Sequence, residues 1–232
     1  MLITIDIGNT STLFGPSKIR IKTDPALLEK TLKNFKRTDA AIVSSVVPQL
    51  NKIIKKYFNK VIFVGYKTFK GQMKIKVKNP AEVGADRLVN AYAAYKLYGS
   101  PAIVVDFGTA TTFDVIDIDG SYLGGLIAPG IQISADALHE HTAKLPKVKV
   151  QMPKSIIGKS TVDSMQAGIY YGYIGLVEGI IKRLNSQFSI ENSQLNIIAT
   201  GGYAKLIGKK TKAFDHIDED LTIKGLGIIS LF

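Results

Sequence analysis

Short aliphatic runs punctuate the chain at Leu2–Asp6, Ala40–Ser44, Val61–Val64, Ile103–Asp106 and Leu195–Ala199. Runs of this length, alternating or continuous, read as half-buried or buried strands. Between them the apolar positions recur at three- and four-residue spacing over Asp24–Phe35, Val47–Tyr57, Ala85–Tyr98 and Thr161–Leu184, which predicts helices. Asp24-Pro25 is a helix start, with a capping carboxylate followed by proline at the first helical position. Strands alternating with helices predict an α/β fold with mixed sheets.

The pattern is doubled. "ITIDIGNTSTLF" from Ile3 aligns without gaps with "IVVDFGTATTFD" from Ile103, at an offset of 100 residues. Ile3/Ile103, Asp6/Asp106, Gly8/Gly108 and Thr12/Thr112 are identical. Each copy reads as strand, Asp, one apolar residue, Gly and then small hydroxyl residues, followed by a second run that completes a hairpin. "DIDG" at 117–120 is a good hairpin turn. Two domains are expected, 1–99 and 100–232, with the boundary near Gly99-Ser100-Pro101 and the two polar turns facing across a cleft.

A phosphate chain needs backbone N–H donors that approach closely and hydroxyls that add more, which Gly and Thr/Ser supply. A carboxylate at the strand end can hold the hydrated magnesium that travels with ATP. A single D-x-G followed by small hydroxyl residues is equally a plain hairpin with a polar tip; its recurrence at equivalent positions favours the phosphate reading. "LNIIATGGYAKLI" adds a strand, Thr200, two glycines and a helix, with room for a flat nucleoside at Gly201 and Gly202. In "NPAEVGADRLVNAYAAYKLYG", Gly84 precedes a helix with Asp86 and Arg87 in its first turn. Asp86 there is either a cap or a proton acceptor for a hydroxyl, and Arg87 suits a carboxylate or phosphate.

The helix from Thr161 carries Gly168, Gly172, Gly175 and Gly179 on one face. Glycine costs about 1 kcal/mol inside a helix, so the stripe implies a close helix crossing at a subunit interface. "GKST" at Gly158–Thr161 resembles a P-loop end, but Pro153 stands where that motif needs Gly. His139 and His141, two apart, point apart on a helix and do not make a zinc site.

Composition narrows the classes. Without cysteine there is no disulfide, zinc–thiolate site or thiol nucleophile. No apolar run spans a bilayer and Asp6 interrupts any signal-peptide core, so the cytoplasm is expected. The net charge of +11 is concentrated: residues 18–78 hold 16 Lys/Arg against 3 Asp/Glu. Lys52, Lys55 and Lys56 share a helix face, and Lys74, Lys76 and Lys78 alternate with Ile75 and Val77 as on an edge strand. Lysines without interleaved aromatics describe a solvated face that steers ATP rather than a nucleic-acid platform.

The chain resembles the superfamily of sugar and acetate kinases, actin and actin-like ATPases. More specifically it resembles type III pantothenate kinases. The motifs are "DIGNT" at 6–10, "SSVVP" at 44–48, "NPAEVGADRLVNA" at 79–91, "VDFGTATT" at 105–112, "GGLIAPG" at 124–130, "TAKLP" at 142–146 and "GKSTVDSMQAG" at 158–168. The resemblance implies two actin-like, ribonuclease H-like domains, a homodimer, and phosphorylation of pantothenate by ATP at the start of coenzyme A biosynthesis. It implies that Asp6, Ile7, Gly8, Asn9, Thr10, Ser11, Thr12 and Leu13, with Thr109, bind ATP. Gly84, Ala85, Asp86, Arg87 and Thr161 would bind pantothenate, with Asp86 as base. Asp106 would hold a monovalent cation, potassium or ammonium, and Asp6 would meet Mg2+ through water. Val77 departs from the family's frequent pocket Tyr. The alternatives are a non-catalytic transcription accessory factor and an actin-like or chaperone ATPase.

Overall fold

The computed structural model describes residues 2–35, 40–187 and 195–232. In chain order the elements are β1 (Leu2–Ile7), β2 (Ser11–Gly15), β3 (Ile19–Lys22), α1 (Pro25–Leu32), β4 (Ala40–Ser45), α2 (Asn51–Tyr57), β5 (Lys60–Phe63) and α3 (Ala85–Tyr98). There follow β6 (Ala102–Phe107), β7 (Ala110–Ile116), β8 (Tyr122–Pro129), α4 (Ile131–Glu140), α5 (Thr161–Gln187), β9 (Asn196–Thr200), α6 (Ala204–Gly208), β10 (His216–Ile217) and α7 (Leu221–Ile229). They form two compact units: Met1–Ser100 with Ile116–Gly124 and Asp220–Phe232, and Pro101–Val115 with Gly125–Glu219.

The first unit is built on a sheet of order β3-β2-β1-β4-β5. β1 and β2 are antiparallel, with Ile7 opposite Thr12, and β1 and β4 are parallel, with Asp6 beside Ser44. Alternation along β1 sorts its side chains. Ile3, Ile5 and Ile7 are buried with Phe14 against Leu28 and Leu32 of α1 and Leu50, Ile54 and Phe58 around α2. Thr4 and Asp6 therefore leave the sheet on the opposite face, which α3 and α7 cover. The two helices cross closely: a Cβ on Gly225 would lie 2.8 Å from Val89 Cγ1 and 3.0 Å from Ala93 Cβ. Across the same crossing Thr222 donates to the Asn90 side-chain oxygen at 2.7 Å.

The second unit repeats the plan. Its sheet order is β8-β7-β6-β9-β10, so β6 to β10 take the places of β1 to β5. β6 and β9 are parallel, with Asp106 beside Thr200, as Asp6 is beside Ser44. Ile103, Val105 and Phe107 pack against Ile131 and Ala135 of α4, Tyr170, Tyr173 and Val177 of α5, and Ala204 and Ile207 of α6. The two sheets together make the expected α/β architecture with mixed strand directions.

Local expectations hold with two refinements. Asp24 caps α1 by accepting the Leu27 N–H at 2.9 Å. The predicted helix over Val47–Tyr57 divides into a 3-10 turn at Pro48–Leu50 and α2. The lysines at 74, 76 and 78 are exposed, but this segment makes a single bridge, Ile75 to Tyr122, rather than a full strand. Lys76 pairs there with Asp117 at 3.1 Å and Asp119 at 3.2 Å, which raises the lysine pKa.

Candidate active site

In the first unit, the β1–β2 turn closes tightly. Gly8 N–H donates to the Ser11 carbonyl at 3.0 Å, leaving Asn9 and Thr10 exposed at the tip. Thr23 holds the turn from the side: its hydroxyl donates to the Gly8 carbonyl at 2.7 Å and lies 3.1 Å from the Thr12 hydroxyl. Arg20 donates to the Ser11 hydroxyl at 3.1 Å. Ile7, Thr12 and Leu13 are buried, so they frame the turn while Asn9 and Thr10 present it.

Asp6 stands at the end of β1 on the face that α3 covers. Burial is the main reason that its carboxyl is raised to about 7, and the Asp86 carboxyl adds to the shift. The Ser44 hydroxyl and the Arg20 charge oppose it. Asp86 is brought there by α3. Gly84 is the N-cap, without a side-chain cap, and Asp86 lies in the first turn, accepting the Arg87 N–H at 2.8 Å. A Cβ on Gly84 would come 2.5 Å from Asp86 Oδ1, so this glycine makes room for the carboxyl. The pKa of Asp86 is also raised, by burial, against the pull of the Arg87 N–H and charge. Two partly desolvated carboxylates acting on each other fit a hard, oxygen-seeking cation such as hydrated Mg2+. Ala85 is buried behind them and Arg87 is half-buried beside them. Val77, also of this unit, packs beside Gly124: a Cβ there would lie 3.3 Å from Val77 Cγ1.

In the second unit, the β6–β7 turn carries Asp106, Gly108 and Thr109. It is crowded from two sides. Gly201 has φ +86°, and a Cβ there would overlap the Asp106 carboxyl and the Phe107 carbonyl. A Cβ on Gly130 would overlap the Thr109 carbonyl and lie 3.1 Å from the Gly108 carbonyl. Asp106 thus lies beside the Phe107 carbonyl, and oxygen ligands of this kind suit a monovalent cation. Tyr173 of α5 steadies this corner, donating to the Pro129 carbonyl at 2.7 Å with the Ser134 hydroxyl 2.7 Å away.

Thr161 is the exposed first residue of α5, whose start is capped by Ser160 accepting the Asp163 N–H at 3.1 Å. Gly158 packs on the Ser164 backbone, so "GKST" is a loop that closes a helix start. The glycine stripe of α5 faces open space: added Cβ atoms on Gly168, Gly172 and Gly175 would meet nothing within 4 Å among the described residues. His139 Nδ1 lies 2.7 Å from the Leu145 carbonyl, a fixed backbone contact. Among the described residues no cluster of three His, Cys, Asp or Glu forms, and no helix is long and apolar enough to cross a membrane.

The site includes residues that motif reading left out. Ser44, Arg20 and Thr23 reach the first turn from β4, from β3 and from the loop after it. The signals were present in "SSVVP" and in the hairpin's second run, but only the strand pairing shows where they lead.

A family model described as type III pantothenate kinase matches residues 2–183. A curated type III pantothenate kinase from Halalkalibacterium halodurans is 43% identical, covering 99% of this chain and 98% of its own. One from Bacillus cytotoxicus is 45% identical over 97% of this chain and 94% of its own. Among solved structures, a Campylobacter jejuni protein described as a conserved Baf family transcriptional activator aligns over 98% of this chain and 96% of its own, with TM-score 0.67 and 20% identity. A Sinorhizobium meliloti protein described as a 2-dehydro-3-deoxygalactonokinase aligns over 99% and 96%, with TM-score 0.59 and 12% identity. These structural likenesses show the fold, two actin-like, ribonuclease H-like halves.

Proposed function

The chain belongs to the type III pantothenate kinase family, the ATP-dependent kinases that open coenzyme A biosynthesis, and from that premise we propose how its residues carry phosphoryl transfer to pantothenate. The observation that carries the proposal is the Asp6–Asp86 pair, one carboxylate at a phosphate-type turn and the other at a helix start shaped around it.

Asp86 is the base. It orients the terminal hydroxyl of pantothenate and takes its proton as the bond to phosphorus forms. A free alcohol is too weak an acid to ionise first, so the proton leaves late. Burial raises the pKa of Asp86 and so makes its carboxylate a better acceptor. Arg87 binds the pantothenate carboxylate, Gly84 and Ala85 shape the pocket, and Thr161 adds a hydroxyl contact. Asn9 and Thr10 offer the ATP phosphates their backbone N–H groups, and Thr109 contacts ATP. Asp6 would hold the hydrated Mg2+ that accompanies ATP, and Asp106 would hold K+ or NH4+. When bound, these ions neutralise charge that develops on the phosphoryl oxygens. The open glycine face of α5 suits a homodimer contact, and the enzyme works in the cytoplasm.

Phosphoryl transfer asks the protein for positioning and charge rather than covalent chemistry, so removing the base should leave binding intact. Asp86→Asn is expected to bind ATP and pantothenate near normally and to lose about a hundredfold or more in kcat. Full activity in that variant removes Asp86 from the role. The accessory-factor alternative is not favoured, because the relatives at 43–45% identity are all kinases by name.

A further inference from the structure

Ser44 is the one residue at the end of β4 that local structure does not explain. It is fully buried and pairs with Asp6 across the parallel ladder, so both side chains leave the sheet on one face. Its neighbour Ser45 has a local task, accepting the Val47 N–H at 3.3 Å where the chain leaves the strand. The Ser44 hydroxyl has no hydrogen-bond partner of good geometry among the described residues. A buried hydroxyl without a partner is unfavourable, and alanine, which occupies positions 40 and 41 of the same strand, would avoid that cost. The hydroxyl lies close enough to the Asp6 carboxyl to favour its charged form. Turning one serine about χ1 brings a hydroxyl from one staggered position to another at little cost.

We infer that Ser44 is a positioning residue for phosphoryl transfer: its hydroxyl donates to one oxygen of the Asp6 carboxylate and so fixes where the other oxygen points. This inference rests on the role proposed for Asp6. A carboxylate that accepts one fixed hydrogen bond loses its freedom to rotate, and its remaining oxygen is presented in a single direction to hydrated Mg2+. The second unit carries the same pairing, with the nearly buried Thr200 beside Asp106. A hydroxyl on the adjacent parallel strand is therefore a repeated part of both strand-end carboxylates.

The test is calorimetric titration of ADP, with and without Mg2+, into the wild type, Ser44→Ala and Asp6→Asn. Ser44→Ala should bind Mg·ADP about tenfold more weakly, the loss of one hydrogen bond to a charged group. It should bind metal-free ADP as the wild type does and keep its pantothenate KM. A packing role would instead weaken metal-free ADP and pantothenate along with Mg·ADP, which overturns the inference. If Asp6→Asn weakens Mg·ADP binding and Ser44→Ala does not, the role of Ser44 fails while that of Asp6 stands. If neither variant changes Mg·ADP binding, the role of Asp6 fails and takes that of Ser44 with it.

Discussion

Gly84 shows how a single atom governs the site. Its missing Cβ leaves the space that the Asp86 carboxyl fills. Gly84→Ala should push that carboxyl aside, and displacement by about an ångström costs on the order of a hundredfold in rate. Steady-state kinetics should show the loss in kcat, with the fold retained by circular dichroism. Asp6 makes a second case at the same scale. Its folded pKa of about 7 lies above the ordinary carboxylate value of 3.8, so between those values the folded chain holds a proton that the unfolded chain has lost. Stability from this group is fully present below pH 3.8 and is lost as the pH rises toward 7. Asp6→Asn removes the penalty. In the absence of nucleotide it should be more stable than the wild type by about 2 kcal/mol at pH 8, with a smaller gap at pH 5. Thermal melts at the two pH values check the sign. A variant that is stabilised yet poorly active is the signature of a carboxylate kept for function.

At the scale of elements, the sites are set by which strand lies beside which. Tyr173 is an example from the interior of α5. It donates to the Pro129 carbonyl, and the next residue, Gly130, lies against Thr109 in the β6–β7 turn. Tyr173→Phe keeps the ring and removes the hydrogen bonds. It should raise the KM for ATP by about threefold to tenfold, leave that for pantothenate unchanged, and destabilise by about 1 kcal/mol. Initial-rate kinetics with each substrate varied would show the split. Much of this level was legible in the sequence. The 3.6-residue period from Ala85 to Tyr98 gave α3 its observed bounds, and the aliphatic runs located β1, β4, β5, β6 and β9 within a residue or so. What periodicity cannot show is lateral pairing. Ser44 beside Asp6, and Thr23 folded back on Gly8, depend on contacts between segments far apart in sequence. The break at Pro48–Leu50 was likewise hidden, because Leu50 and Ile54 keep helical spacing across it.

At the scale of the whole molecule, the doubled D-x-G turn with its small hydroxyl residues was the most informative feature of the sequence, and the two sheets with equivalent strand orders are its structural counterpart. The copies have diverged within that common plan. Asp6 has a second carboxylate near it, from α3, whereas Asp106 has the Phe107 carbonyl near it at Gly201. The return of α7 to the first unit left no mark in the sequence, since an apolar helix of nine residues is compatible with either sheet. Gly225 is the residue that identifies its partner, by admitting Val89 and Ala93 of α3. Residue chemistry reaches an ATP-dependent transfer to an alcohol, and the family supplies pantothenate as that alcohol. The most direct test of this central claim is ADP formation from Mg·ATP with K+ present, measured with and without pantothenate. Pantothenate-dependent ADP formation, matched mole for mole by phosphorylated pantothenate, is the predicted result; ADP released at the same rate without pantothenate would contradict it.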